Sequence, residues 1–400
     1  MPVDELLAAV AIGDEPADRA GHLWPHHVTA ALGPIPVQIH SNSTTAIDYL
    51  RRLFTPGNDL WAMADQDHRH PALSVRCHFM DTESTATLVH HVATRTQHCP
   101  RTATRLHVDA PAEWIDLDGQ QRVLLAGGAG QPIAPQLVTV RGASEITIIC
   151  CDTPDAVMNL ARHLREIGYR LAENDGWICL HASAADLDGQ TVAIVGDSGA
   201  GKTTMALALS ARHGWRFLAN DRLMVRLDPS TGSLRAVAMP CPIRVNAGTL
   251  HGLAINDAHD WDLSRPKPGQ DSDWSQFLGA AKLNVLPSEW KELTGTNLSP
   301  AGSLAAVLLP APILKGAEVC IAKHPGPTAA ITAQCMSPDD PVYVTDWLGR
   351  RITTPELIRA HAHQIVTALT TLPALTVSFG TELALVAVAD QVAAALQATW

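Results

Sequence analysis

The chain is poor in charge, in aromatic rings and in positive sign. Of its 400 residues, 17% are charged and 4% aromatic. A globular domain usually carries roughly a quarter charged residues. Low charge beside 46% hydrophobic residues excludes a disordered chain, which needs few apolar groups and high net charge. Lys and Arg number 29 against 40 Asp and Glu, a formal net charge of −11. Nucleic acid and anionic membranes demand clustered Lys and Arg, so neither is expected as a main partner. A membrane span needs roughly 20 clean apolar residues, and no run supplies them. The best runs, 303–314 and 372–388, are broken by Pro310 and Pro312 and by Gly380 and Glu382. The start, MPVDELLAAVAIGDEP, has no basic lead and carries acids in its apolar stretch, so no secretory signal is expected. CxxC pairs are absent, and only Cys150 and Cys151 are adjacent among 8 cysteines. That pattern predicts reduced, buried thiols in a cytoplasmic protein. There is no internal repeat.

At about 150 residues per domain, this length predicts about two or three domains. The pattern changes near residue 143. Residues 1–143 are rich in His and in short strand-like segments, and predict a smaller α+β module that shapes an acceptor site. A strand at 35–40, a helix at 44–54 and a hairpin turning at Asp118-Gly119 are expected there. The clusters His26-His27, Asp65 to His70, His90-His91 and His98-Cys99 lack the spacing of a structural zinc site and read as solvated or ordinary polar contacts.

Residues 144–400 alternate strand and helix, which predicts α/β architecture. A buried strand at 146–150 precedes a helix expected to stop at Gly168. Arg162 and Arg165 are expected on that helix's solvated face. One strand is expected over 177–184, others at 191–195, 215–219 and 223–227, and a helix over 202–212 with Leu207 and Leu209 in the core. Residues 251–300 form a polar insertion with Pro266, Pro268, Gly269, Asp262, Asp271, Asp273 and three Trp (Trp261, Trp274, Trp290). A long loop of that kind predicts a lid or a substrate-binding segment.

One motif carries chemistry. Gly196-Asp197-Ser198-Gly199-Ala200-Gly201-Lys202-Thr203 fits GxxxxGK[ST] at every required position. Glycines let the backbone curl so that successive N–H groups converge on a β-phosphate, where a Cβ would obstruct. The helix that follows adds the positive end of its dipole. Lys202 reaches the β- and γ-phosphates, and the Thr203 hydroxyl ligates Mg²⁺. An apolar strand before the loop and a helix after it are the context this motif requires. Arg far outnumbers Lys in this chain, yet a Lys stands at the position the motif demands.

No NKxD tetrapeptide and no LSGGQ-like signature is present, which disfavours a GTPase and an ABC-type ATPase. Instead Phe217-Leu218-Ala219-Asn220-Asp221 ends an apolar strand in an acid about nineteen positions after Lys202. A carboxylate at the carboxyl end of a strand next to the phosphate loop sits in the crevice where open α/β sheets bind ligands. It can orient a hydroxyl, accept its proton or hold Mg²⁺.

The run Leu180-His181-Ala182-Ser183, the turn Asp188-Gly189, the loop 195–204 and Gly214 to Asp221 together resemble HPr kinase/phosphorylase and its relatives. Within that family they are most similar to the HPr-kinase-related kinases of bacterial biosynthetic gene clusters, some of which phosphorylate a serine of a precursor peptide. The specific resemblance covers about residues 175–246. It implies a P-loop kinase core related to phosphoenolpyruvate carboxykinase, using ATP and Mg²⁺. It implies that Gly196 to Thr204 hold the nucleotide, that Asp221 is the catalytic acid–base group and that His181 faces the active site. It implies that Arg244, in Met239-Pro240-Cys241-Pro242-Ile243-Arg244, contacts phosphate or substrate. It also makes a homo-oligomer an expectation. Asn220 stands where relatives often carry a second Asp, and the family's downstream signature is missing where the 251–300 insertion lies.

The reading is therefore an ATP- and Mg²⁺-dependent kinase for a hydroxyl acceptor, either Ser or Thr of a peptide or protein or a small-metabolite hydroxyl. The alternative is a nucleotide-binding regulatory or assembly protein without phosphotransfer.

Overall fold

A computed structural model describes residues 24–33, 35–63, 71–107, 110–117, 119, 121–127, 134–153, 156–212, 214–255, 258, 261, 263, 282–313, 318–340, 343, 345–380 and 384–400. The chain is mixed α/β and divides into two compact units. The first comprises residues 1–51, 60–171 and 339–352, the second 52–59, 172–338 and 353–400.

The elements that begin in the first unit are β1 (His26–Leu32), β2 (Ile35–Ser41), α1 (Thr44–Leu53), β3 (Trp61–Met63), β4 (Leu73–Met80), α2 (Thr82–Arg95), β5 (Thr102–His107), β6 (Ala110–Asp116), β7 (Gln121–Ala126), β8 (Gln136–Arg141), β9 (Glu145–Cys151) and α3 (Ala156–Asn174). The strands form one sheet in the order β3-β1-β2-β4-β9-β8-β7-β6-β5. Asp81 caps α2 by accepting from the Ser84 N–H at 2.7 Å. Leu88 and Val89 of that helix pack on Ile115, Val123, Leu137 and Ile149. The expected hairpin is β6–β7, although Asp118 lies outside the described residues.

Three expectations change here. The break at residue 143 is not a border between the units, because β9 pairs with β4 on one side and β8 on the other. The apolar style that begins there belongs to a strand buried inside the sheet, which reads as a continuous apolar run. Gly168 does not stop its helix, since α3 continues to Asn174. A Cβ at Gly168 would strike the Trp61 indole, so this glycine makes room for a close approach. Arg162 is not on a solvated face: its guanidinium lies over the Tyr343 ring, 5.8 Å from the centroid.

The elements of the second unit are β10 (Ile178–Leu180), β11 (Ala182–Leu187), β12 (Gln190–Val195), α4 (Lys202–Ser210), β13 (Trp215–Ala219), β14 (Leu223–Leu227), β15 (Leu234–Ala238), β16 (Ile243–Asn246), α5 (Ala247–Gly252), β17 (Lys282–Val285), α6 (Pro287–Thr294), β18 (Ala301–Ile313), β19 (Val319–Lys323), α7 (Thr328–Ala333), α8 (Pro355–Leu369), β20 (Ala374–Gly380) and α9 (Leu385–Gln397). The main sheet runs β10-β14-β15-β18-β12-β11-β13, with β20 pairing β18 and β19. At its centre β12 is parallel to β18 and antiparallel to β11.

Alternation along β12 explains its apolar sequence. Val192 and Ile194 join one core with α4 and α9, while Ala193 and Val195 join another with α8. Leu207 and Leu209 are buried in the first of these. So are Trp261 and Trp290, whose rings meet edge-on at 6.0 Å. These two tryptophans of the 251–300 segment are core anchors rather than parts of a lid. Trp274, Pro266, Pro268, Gly269, Asp262, Asp271 and Asp273 lie outside the described residues. Among the described residues no helix is long and apolar enough to cross a membrane.

Behind β12, the fully buried Asp186 accepts from Thr191 Oγ1 at 3.0 Å and from Arg216 Nε at 3.0 Å. A Cβ on Gly302 would come 2.6 Å from Asp186 Oδ2 and collide with Thr191 Oγ1. Gly302→Ala is expected to destabilise the chain by about 3 kcal/mol, as overpacking disturbs a buried carboxylate and its partners. A lowered urea midpoint would register it; an unchanged midpoint would contradict this account of Gly302.

Candidate functional site

The site follows from strand order. β11 lies between β12 and β13 and is antiparallel to both, with Ala182 opposite Val195 and Ala184 opposite Ala219. β12 and β13 therefore end where β11 begins. His181, Gly196, Asn220 and Asp221 come out at one edge of the sheet. Asp221 follows a strand one removed from the phosphate-loop strand, and one local expectation is corrected: the predicted strand 177–184 breaks at His181. The backbone turns there because the His181 N–H donates to the Gln334 carbonyl at 2.8 Å, outside the sheet ladder.

The loop after β12 curls tightly through its glycines. Gly199 (φ +82°) and Gly201 (φ +91°) lie in the left-handed region that favours glycine. At Gly196 a Cβ would come 3.2 Å from the Ala200 Cβ, tightening the curl. Gly201 starts α4 with no side-chain cap, which leaves the first helical N–H groups for a ligand. Lys202, 7% exposed, reaches back across the loop and donates to the carbonyls of Gly196 at 2.7 Å and Asp197 at 3.0 Å. Burial lowers its pKa, and Asp221 and Asp197 oppose that shift. An acid inside a phosphate loop repels phosphate, but Asp197 is tied aside: Gln334 Nε2 donates to its Oδ1 at 3.1 Å. Ser198 is exposed at the loop tip.

Thr203 donates from Oγ1 to Asn220 Oδ1 at 2.7 Å, and Asn220 Nδ2 donates to the Pro242 carbonyl at 3.1 Å. Thr204 shares a hydrogen bond with the Thr249 hydroxyl at 2.7 Å, so it joins α4 to α5. Its hydroxyl is committed to that joint.

Asp221 has φ +67°, a backbone state that a non-glycine residue keeps only when its surroundings impose it. Two cations do so. Its Oδ2 accepts from Arg222 Nη1 at 2.9 Å, and its Oδ1 lies 3.4 Å from His181 Nε2. Burial pushes the Asp221 pKa up, but the His181 hydrogen bond and the charges of Arg222 and Lys202 outweigh it and hold it at about 2. The carboxylate stays 45% exposed, open to an incoming group. Arg222→Gln removes one restraint and is expected to move the Asp221 midpoint up by about one pH unit, read by carboxyl-carbon NMR. The stability linked to this group is present above its unfolded pKa of about 3.9 and is lost as pH falls towards 2. The variant loses it at higher pH.

These residues fit a magnesium nucleotide. Mg²⁺ leans on phosphate and water oxygens plus one or two protein oxygens. Thr203 and Asp221 supply such oxygens beside a loop whose curl needs left-handed backbone at Gly199 and Gly201. Among the described residues no group of three or more His, Cys, Asp or Glu forms a metal cluster, and Asp65 to His70 lie outside them. A cavity of about 650 Å³ includes Trp290, Trp215, Leu207 and Arg212 in its lining. It opens at the far end of α4 from Lys202, so this Trp-lined space does not receive an acceptor beside the phosphate loop.

Arg244 is not brought against the loop; it is exposed on β16. Sequence reasoning missed Arg222, Gln334, Thr249 and Lys282. Only Arg222 had a signal, its adjacency to Asp221.

No family model and no curated protein matches the chain. Among solved structures, the Hpr(Ser) kinase/phosphatase from Coxiella burnetii is similar over 47% of this chain and 92% of that one, with 11% identity and a TM-score of 0.20. A likeness of that size carries no argument about activity.

Proposed function

We propose that the chain is an ATP- and Mg²⁺-dependent kinase that transfers the γ-phosphate to a hydroxyl acceptor, in the manner of the HPr-kinase-like family its motifs resemble. The acceptor is a Ser or Thr of a peptide or protein, or a small-metabolite hydroxyl. The second unit carries the chemistry, and acceptor recognition is the role proposed for residues 1–143. The observation that supports this best is the shared sheet edge, where a glycine cradle with Lys202 faces a carboxylate fixed by His181 and Arg222.

In this reading the loop N–H groups and Lys202 bind the β- and γ-phosphates, and Lys202 exchanges its carbonyl partners for phosphate oxygens. Thr203 and Asp221 would hold Mg²⁺, which when bound would offset phosphate charge. Asp221 orients the acceptor hydroxyl in line with the γ-phosphorus. A bond forms from the acceptor oxygen to phosphorus, the bond to the β-phosphate bridge oxygen breaks, and ADP leaves. The acceptor proton passes to Asp221. A carboxylate with a pKa of about 2 is a weak base, so it takes the proton late, when the acceptor oxygen is already bonding to phosphorus and has become acidic.

One observation favours the non-transferring reading: Asn220, a neutral amide, occupies the Thr203 hydroxyl and leaves a single acid at the end of β13. The test uses Mg²⁺ and γ-labelled ATP with seryl and threonyl peptides and hydroxylated metabolites. Label in an acid-stable phosphomonoester supports the kinase. Firm nucleotide binding with no labelled acceptor supports the regulator.

A further inference from the structure

The β16–β17 ribbon has two unlike faces. Register pairs Ile243 with Val285 and Val245 with Leu283, and all four are buried. It pairs Arg244 with Asn284 and Asn246 with Lys282 on the other face. Arg244 and Lys282 are exposed there as diagonal neighbours, about 7–8 Å apart in such a pair. Neither has a hydrogen bond or a carboxylate partner among the described residues. Arg52, Arg76, Arg101, Arg212, Arg216, Arg222, Arg226 and Arg235 all have one. Among the described residues, this small face therefore holds two cations with no carboxylate beside them in a chain of net charge −11.

The ribbon is also wired to the phosphate loop. Asn246 Oδ1 accepts from the Thr249 N–H at 2.7 Å, and the Thr249 hydroxyl meets that of Thr204 at 2.7 Å, one residue beyond the Thr203 that faces the nucleotide. Lys282 lies near enough for its charge to act on Lys202. Lys282 thus carries positive charge from the phosphate loop to the ribbon, where Arg244 lies diagonally across from it on the exposed face. Like charges gathered in this way repel, and an anion lying along them relieves the repulsion. An open face, rather than a cavity, suits an extended ligand.

We infer that this face of the β16–β17 ribbon recognises an acidic peptide segment flanking the acceptor hydroxyl, with Arg244 and Lys282 engaging its carboxylates. The assignment rests on the kinase reading above and narrows its acceptor to a seryl or threonyl peptide with acidic neighbours. Arg244 and Lys282 set specificity here and touch no reacting atom.

The test uses the full chain saturated with Mg²⁺ and a non-hydrolysable ATP analogue. It is titrated with a fluorescent Gly-Ser-Glu-Asp-Glu-Gly peptide and with the isosteric Gly-Ser-Gln-Asn-Gln-Gly peptide. The acidic probe is expected to bind at least about tenfold tighter, the preference shrinking as salt is raised. In Arg244→Gln/Lys282→Gln the preference is expected to vanish while nucleotide affinity stays within about threefold. Equal binding of the two probes overturns the assignment, as does a preference that survives in the double variant. A nucleotide affinity that falls as far as the peptide affinity also overturns it, since the cations would then serve the nucleotide. Failure of the wild-type chain to bind the nucleotide analogue would defeat the kinase reading and this assignment together. Normal nucleotide binding without charge preference defeats this assignment alone.

Discussion

Asp221→Asn is expected to keep nucleotide affinity within about threefold and to cut turnover by about 10²–10⁴-fold, the usual contribution of a positioned acid–base group. The substitution preserves shape and can still accept from Arg222, so the strained turn at φ +67° survives. It removes the negative charge and the proton acceptor. Affinity and turnover therefore separate, which a general loss of folding would not produce. Steady-state kinetics beside a nucleotide titration read both quantities. A fall in both by the same factor would place Asp221 in nucleotide binding instead.

The second large effect lies at Lys202. Lys202→Ala is expected to weaken nucleotide binding about tenfold or more and to lower turnover about 10³-fold, because the cation meets charge that grows on the phosphates during transfer. Stability should hardly change. Among the described residues the buried ammonium is bonded to the carbonyls of Gly196 and Asp197, and its pKa is already lowered by burial. Lys202→Arg is expected to rescue little, since a planar fork cannot occupy the space of a compact ammonium curled inside the loop. Thermal unfolding beside nucleotide titration separates the lost cation from a lost fold.

Much of this was legible because some positions are decided locally. A glycine at 199 or 201 answers a backbone angle, and a Lys after it answers a phosphate. The pattern needs only neighbours in the chain. The strands 215–219 and 223–227 were legible for the same reason, with apolar runs bounded by polar turns. What stayed hidden depends on pairing across the sheet. That β11 intervenes between β12 and β13, and so brings His181 to Asp221, is a register fact with no local trace. Gln334 holds both the Asp197 carboxylate and the His181 backbone from more than a hundred residues away in the chain. Gly168 misled because glycine both ends helices and admits close packing, and only the Trp61 indole decides between them. The change of style at residue 143 misled because burial inside a sheet erases alternation much as a new domain does.

The low positive charge of the chain also takes on a sharper meaning. The anion site proposed between Gly196 and Thr203 would be made mainly of backbone N–H groups, which net charge does not count.

The central claim is that this loop grips the β-phosphate of a nucleotide. The most direct test is competition against a labelled ATP analogue, with Mg²⁺ at fixed ionic strength, by ATP, ADP, AMP and adenosine. The account predicts that ATP and ADP displace the label at similar concentrations, while AMP and adenosine need at least about a hundredfold more. Equal displacement by adenosine or AMP, or no saturable ATP binding at all, would contradict it.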